Sequence, residues 1–271
     1  MPYAKVNDIN MYYEIYGEGN PLVLIPGWGS NTNMLSPHFP ALSEFYQVIA
    51  IDNRGAGKSD KPDIPYTMGM MASDIAELLE TIKVDKAHIM GGSMGGGIAQ
   101  FFALDYPDKV ISLILACTAP GLKRSIPSER NPLTRLSPEE RTKQSPEETI
   151  KGIIDSCLTE EFIKNNPEKV EYYISLLSIN PPNPIGMKRQ SEAMLEAPDI
   201  YDSLPDITAP TLVIAGDKDI TVNPENSRLL ASIIPNSELV LMKNLGHSFD
   251  FEAPEEFREI LLDFLRRHSL K

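Results

Sequence analysis

The stretch from Ala87 to Ala116 most limits how this chain can fold. It reads as an apolar run Ala87 to Met90, a glycine-rich Gly91-Gly92-Ser93-Met94-Gly95-Gly96, a helical segment Ile98 to Tyr106, and a second apolar run Val110 to Ala116. Strand, tight turn, helix, strand is the βαβ unit, and its crossover makes the two strands parallel. Parallel strands are covered by helices on both faces, so each is apolar throughout instead of alternating. The runs Leu22 to Ile25, stopped by Pro26-Gly27, and Val48 to Ile51, stopped by Asp52, Gly55 and Gly57, fit that requirement.

The same rhythm returns after Pro210, with strand-like Thr211 to Ala215, a helix from Pro224 to Ile234, strand-like Glu238 to Met242, and a closing helix from Pro254 to Arg267. Pro224 and Pro254 suit a first helical turn. Asp74 to Ile82 places Ile75, Leu78, Leu79 and Ile82 on one helical face. Residues 3 to 16, turning at Asn7-Asp8, predict an antiparallel hairpin at the start of the sheet. Between Ala119 and Pro205 the chain is rich in proline, glutamate and lysine, without a strand-like run. Its helical patterns, Glu148 to Leu158 and Val170 to Leu177, predict an inserted helical lid, with Gly121 to Pro146 as its linker-like part. No internal repeat is present.

With 271 residues, 42% of them hydrophobic, one core needs no disulfide staples. Asp and Glu number 38 against 25 Lys and Arg, a net charge of -13, which repels nucleic-acid phosphates and anionic membranes. The start of the chain lacks a basic segment followed by an apolar one, and no run approaches the roughly 20 apolar residues of a membrane span. A soluble, cytoplasmic monomer or small homo-oligomer is expected. Cys117 and Cys157 form no CxxC pair, although a single bridge between them stays open. His38, His88, His247 and His268 lack metal-ligand spacing, so no metal is expected.

Gly91-Gly92-Ser93-Met94-Gly95 is a G-x-S-x-G motif at a strand end and helix start, the setting that presents a serine hydroxyl above a sheet. A serine hydroxyl is a weak nucleophile near neutrality and needs a base, which in turn needs an orienting acid. His247 follows Gly246 in the loop after Glu238 to Met242 and comes after both other members in the order Ser, Asp, His. The acid belongs at the end of Thr211 to Ala215, where Gly216-Asp217-Lys218-Asp219 offers two carboxylates. Asp219 is chosen, with Asp217 as a solvated turn residue. The other position for such an acid, after Val110 to Ala116, reads Cys117-Thr118-Ala119 and holds none.

With Pro26-Gly27-Trp28-Gly29, Asp52 to Asp60, Gly91 to Gly97, Gly216 to Asp219 and Asn244-Leu245-Gly246-His247, the chain resembles the α/β-hydrolase family over nearly its whole length apart from the lid. The resemblance implies a mostly parallel eight-stranded sheet flanked by helices. The core would be residues 1–119 and 206–271, and the helical cap residues 120–205. It implies an oxyanion hole from the backbone N–H groups of Trp28 and Met94, and no cofactor. Pro26 and Gly92 depart from histidines that are common in the family, without removing a catalytic group. Arg54 is expected to make structural contacts. Trp28 could line the acyl pocket or simply pack beneath the lid.

A serine nucleophile argues against epoxide hydrolase or dehalogenase chemistry and implies cleavage of a small ester or lactone. The run Gly91 to Gln100 is most similar to the 3-oxoadipate enol-lactonase and haloperoxidase-like branch. A dicarboxylate-like lactone would want a cation in the pocket, for which Lys123, Arg124, Arg135 and Lys188 are the lid candidates, but basic residues on a lid are usually solvated surface and none is assigned to the site. Met34, Met68, Met70, Met71 and Met94 cluster near the predicted pocket mouth, where thioethers give an adaptable lining, although a methionine more often just fills the core. Alternatives are carbon–carbon bond hydrolysis, a proline-iminopeptidase-like activity using the acidic lid residues Glu139, Glu140, Glu147 and Glu148, and a ligand receptor with little turnover.

Overall fold

The structure, a computed structural model, describes residues 2–128, 137–141 and 143–270. Strands β1 (Tyr3–Val6) and β2 (Ile9–Tyr16) form the expected hairpin, with Asn7 at φ +46°, a left-handed conformation that asparagine tolerates. They are followed by β3 (Asn20–Ile25), β4 (Tyr46–Ile51), β5 (Ala87–Gly92), β6 (Val110–Ala116), β7 (Thr211–Gly216) and β8 (Ser237–Met242). The spatial order is β1-β2-β4-β3-β5-β6-β7-β8. The β1/β2 and β2/β4 pairs are antiparallel, and every pair from β4/β3 through β7/β8 is parallel.

Alternate residues of the central strands serve opposite faces, which is why the sequence runs are apolar without interruption. Leu113 and Leu115 of β6 pack with α3 (Met68–Thr81) and α4 (Met94–Asp105). Ile114 and Ala116 of the same strand face the other way, toward Phe257, Leu261 and Phe264 of α12 (Pro254–His268). Both faces being covered, β6 and β7 are buried along their whole length. Two short helices, α1 (Thr32–Leu35) and α2 (Phe39–Leu42), lead into β4.

His88, the polar exception in β5, is wholly buried, with Nδ1 2.7 Å from Ser112 Oγ and its ring edge-on to Tyr46. Burial holds its pKa down at about 4, against the ordinary 6.5. The unfolded chain therefore binds this proton first on acidification, and stability is lost as pH falls from about 6.5 to 4. The shift corresponds to about 3 kcal/mol. Urea unfolding at several pH values is expected to show that loss in the parent and a correspondingly smaller slope in His88→Gln. Equal slopes would mean that His88 does not titrate this way.

The chain between β6 and β7 supplies α5 (Pro138–Arg141), α6 (Pro146–Cys157), α7 (Glu160–Asn165), α8 (Pro167–Ile179) and α9 (Pro184–Leu195). Ser145 and Glu148 cap α6 reciprocally, and Pro146 occupies its first turn. Ile154, Leu158, Phe162, Tyr173 and Leu177 form a small core of their own, which Met34 and Phe251 join from outside the insertion. The remaining helices are α10 (Glu225–Ile233), which begins after Pro224 with that proline as its N-cap, and α11 (Phe249–Glu252). No helix among the described residues is long and apolar enough to cross a membrane.

Candidate active site

The glycine-rich turn forms because β5 must stop and α4 must start within one residue. Ser93 sits at φ +54°, ψ −118°, a strained setting for a side-chain-bearing residue, which costs of order 1–3 kcal/mol and is held by its surroundings. Its N–H donates to Ala116 O at 2.9 Å, and Thr118 Oγ1 donates to its carbonyl at 2.8 Å. Close approach explains the flanking glycines: a Cβ on Gly91 would stand 2.1 Å from Gly95 O, and one on Gly95 would stand 2.3 Å from Ile25 O. Gly92 faces open space, so its departure from the family pattern costs no packing.

His247 lies in the loop between β8 and α11. Hydrogen bonds to the loop after β7 hold it there: Lys218 N–H donates to Leu245 O at 2.9 Å and Asn244 N–H to Asp217 Oδ1 at 2.6 Å. His247 Nδ1 stands 2.7 Å from Asp219 Oδ2, and Asp219 Oδ1 accepts from Thr221 N–H at 2.8 Å and Val222 N–H at 2.9 Å. The Asp219 side chain is fully buried, whereas Asp217 is half-buried and ties the loop. Burial opposes charging of His247, but the Asp219 carboxylate and the Cys117 thiol together outweigh it and hold the imidazole's pKa well above the ordinary histidine value.

Cys117, left-handed at φ +41° directly after β6, brings its thiol within hydrogen-bonding reach of His247. Nothing in the sequence marked this neighbour, because strand periodicity says where β6 ends and not which loop lies across from it. Burial raises the pKa of Cys117, and that of Cys157 to about 11, so both thiols are neutral. Both are free, and the bridge left open by the sequence does not form.

Ser93, Trp28 and His247 line one cavity of about 470 Å³ between the sheet's carboxyl edge and α6 and α8. Met94, with its side chain in the core, opens α4, so its N–H is one of the helix's unpaired donors. The loop carrying Trp28 is held from two sides. Asn53 Nδ2 donates to Pro26 O at 2.9 Å, and from the insertion Gln190 Oε1 accepts from Gly29 N–H at 2.9 Å while Met187 O accepts from Trp28 Nε1 at 3.0 Å. Trp28 thus both lines the cavity and docks on α9. Gln190 is fully buried and was not visible to sequence reasoning, since a polar residue on an acidic insertion reads as surface.

The structure decides between the readings left open by the sequence. Of the methionines placed at the mouth, Met34 lines the cavity, whereas Met68, Met71 and Met94 belong to the core and Met70 is not among the lining residues. The described lid cations are not in the cavity lining either. Arg124 pairs with Asp199 and Asp202, Lys188 with Glu139 and Glu192, and Lys123 does not line the cavity. Arg135 lies outside the described residues. Arg54 makes the structural contacts expected of it, fully buried with Nε 2.6 Å from Asp74 Oδ2. The other histidines are committed elsewhere: His38 faces Asp250 at 3.3 Å, His88 is in the sheet, and His268 packs on Phe264.

A mostly parallel sheet with a strained serine turn at its carboxyl edge, opening into a closed-over pocket, defines a hydrolase. The chain belongs to the α/β-hydrolase family, whose model matches residues 20–254. It is 31% identical over 268 residues to a protein assigned as the carbamate hydrolase RutD of Azorhizobium caulinodans, covering 97% of this chain and 98% of that relative. Among solved structures it is similar to a thermophilic esterase from Thermogutta terrifontis, at 30% identity and TM-score 0.86 over 97% of this chain and 95% of the other. It is also similar to the enol-lactonase from Burkholderia xenovorans LB400, at 27% identity and TM-score 0.87 over 98% and 100%.

Proposed function

We propose that the protein is a serine esterase or lactonase acting on small, uncharged substrates with an apolar acyl group. The observation that carries this reading is the shared cavity of Ser93 and His247, with Asp219 buried 2.7 Å behind the imidazole. His247 takes the Ser93 proton as the hydroxyl attacks the carbonyl, and the Asp219 carboxylate holds the ring and stabilises the imidazolium that forms. The N–H groups of Trp28 and Met94 receive the oxyanion. His247 then returns the proton to the leaving alcohol and activates water to release the acyl-enzyme, so the chemistry closes without a cofactor. Residues 120–205 act as the cap over this site.

Substrate charge follows from the lining. Its ionisable groups include His247, Glu148 and Asp250, with no Lys or Arg among the described residues, so apart from the imidazole that must act as base a substrate carboxylate meets no cation, and it faces two acids there. Glu148 is engaged in capping α6, which leaves the iminopeptidase alternative without a free carboxylate from that residue. The test is hydrolysis of p-nitrophenyl esters from acetate to decanoate beside carboxylate-ended esters such as the hemisuccinate. The uncharged series is expected to exceed the charged one by at least tenfold in kcat/KM, or about 1.4 kcal/mol. Preference for the anionic ester would reverse the substrate class, and no turnover of either would sink the esterase reading.

A further inference from the structure

Glu252 lies five residues beyond His247, buried, and has no place in the chemistry above. Its carboxylate bridges two parts of the molecule that are far apart in sequence. Oε1 accepts from Thr159 N–H at 2.6 Å, and Oε2 accepts from Thr159 Oγ1 at 3.2 Å and from Gly246 N–H at 3.3 Å. Thr159 is the N-cap of α7 in the insertion, and Gly246 directly precedes His247. The other flank is held from the same side: Ser248 N–H donates to Cys157 O at 2.9 Å, and the Tyr173 hydroxyl stands 2.9 Å from Ser248 Oγ. The approach is tight, since a Cβ on Gly246 would stand 2.9 Å from Cys157 O and 3.1 Å from Glu252 Oε1. The insertion thus grips the residues immediately before and after the histidine.

We infer that Glu252 is a positioning residue that ties the insertion to the base loop, so that the alignment of the His247 imidazole depends on the seating of α6 and α7. The inference rests on reading His247 as the base. A buried carboxylate with hydrogen-bond donors on both oxygens is a rigid link, because any displacement of Thr159 is carried to Gly246 through one planar group. Burial raises the Glu252 pKa and the Thr159 and Gly246 donors pull against it, as expected for an acceptor whose cost of burial is offset by its partners. Asp250 adds a like charge nearby, which makes those donors more necessary.

The test is Glu252→Gln, whose amide NH₂ cannot accept from the donors it would meet, compared with the parent and with Ser93→Ala. Each is followed by kcat and KM on a p-nitrophenyl ester and by the far-downfield proton resonance of His247 Nδ1–H. A folded Glu252→Gln is expected to lose roughly 10- to 100-fold in kcat, the scale of a small misplacement of a reacting group. KM should stay within about threefold, because the apolar pocket is unchanged, and the resonance should shift or broaden. A folded variant with kcat within about twofold of the parent and an unmoved resonance would overturn the inference. Should Glu252→Gln fail to fold, Thr159→Ala removes the hydroxyl arm from the insertion side. A lowered kcat with a shifted resonance then supports the link, while altered stability or KM alone overturns it. If the parent itself does not hydrolyse esters, the proposed function fails, yet the resonance still reports whether Glu252 sets the histidine's environment.

Discussion

Ser93→Ala is expected to lower kcat for ester hydrolysis by about 10⁵- to 10⁶-fold while leaving the fold intact. The magnitude follows from what remains under the proposed mechanism: the cavity and the proposed N–H donors of Trp28 and Met94 would still bind and polarise the carbonyl, but no covalent acyl-enzyme would form. The fold should survive because the turn is held through backbone and neighbouring groups, namely Ser93 N–H to Ala116 O, Thr118 Oγ1 to Ser93 O, and the Gly91–Gly95 approach. Alanine bears the same strain at φ +54° as serine. Steady-state kinetics with thermal unfolding checks both halves, and a folded variant retaining even about one per cent of parental turnover would remove Ser93 from the nucleophile's role.

The second large effect separates two aspartates that lie two residues apart. Asp219→Asn is expected to cost on the order of 10⁴-fold in kcat, because an amide can stabilise the wrong imidazole tautomer and cannot balance the imidazolium. It should also move the acid limb of kcat/KM to lower pH. The sign follows from the causes: burial lowers the His247 pKa while Asp219, with a contribution from Cys117, raises it, so removing the carboxylate lets the pKa fall. Asp217→Asn keeps an oxygen to accept from Asn244 N–H and should stay within about threefold of the parent. Comparable losses at the two positions, or an acid limb that does not move in Asp219→Asn, would unseat the assignment of the acid.

Where the buried face of an element is apolar, its hydrophobic period was readable in the sequence. The strand runs from Leu22 to Met242 lie within the observed strands, and Val110 to Ala116 coincides with β6. The readings fall short where burial and apolarity part company. The α9 helix was missed because three of the five residues it buries are Gly186, Gln190 and Ser191: Gly186 closes on the backbone of Gly55 and Gln190 bonds the backbone of Gly29 and Arg54, so Met187 and Ala193 alone make no apolar stripe. The α4 helix begins at Met94 instead of Ile98, since its first turn is Gly95 to Gly97, poor in helix propensity and chosen for close approach. The α3 helix starts at Met68, six residues before the expected Asp74, with Thr67 capping it through Met70 N–H. That extra turn and a half puts Met68 and Met71 in the core instead of at the pocket mouth.

The sequence alone determined the sheet rhythm, the serine turn and the order of Ser93, Asp219 and His247, because each rests on short-range backbone chemistry: apolar period, glycine steric freedom, and the loop that must follow a parallel strand. Tertiary structure decided which groups meet across those loops. It put Cys117 against His247, hung Trp28 and Gly29 on α9 through Met187 and Gln190, closed Glu252 between Thr159 and Gly246, and paired Arg124 and Lys188 with carboxylates outside the cavity. The physical reason is that hydrogen bonds and charges act over a few ångströms in space. Residues 93 apart in the chain, such as Thr159 and Glu252, become partners only when the sheet and the packed helices bring their loops together.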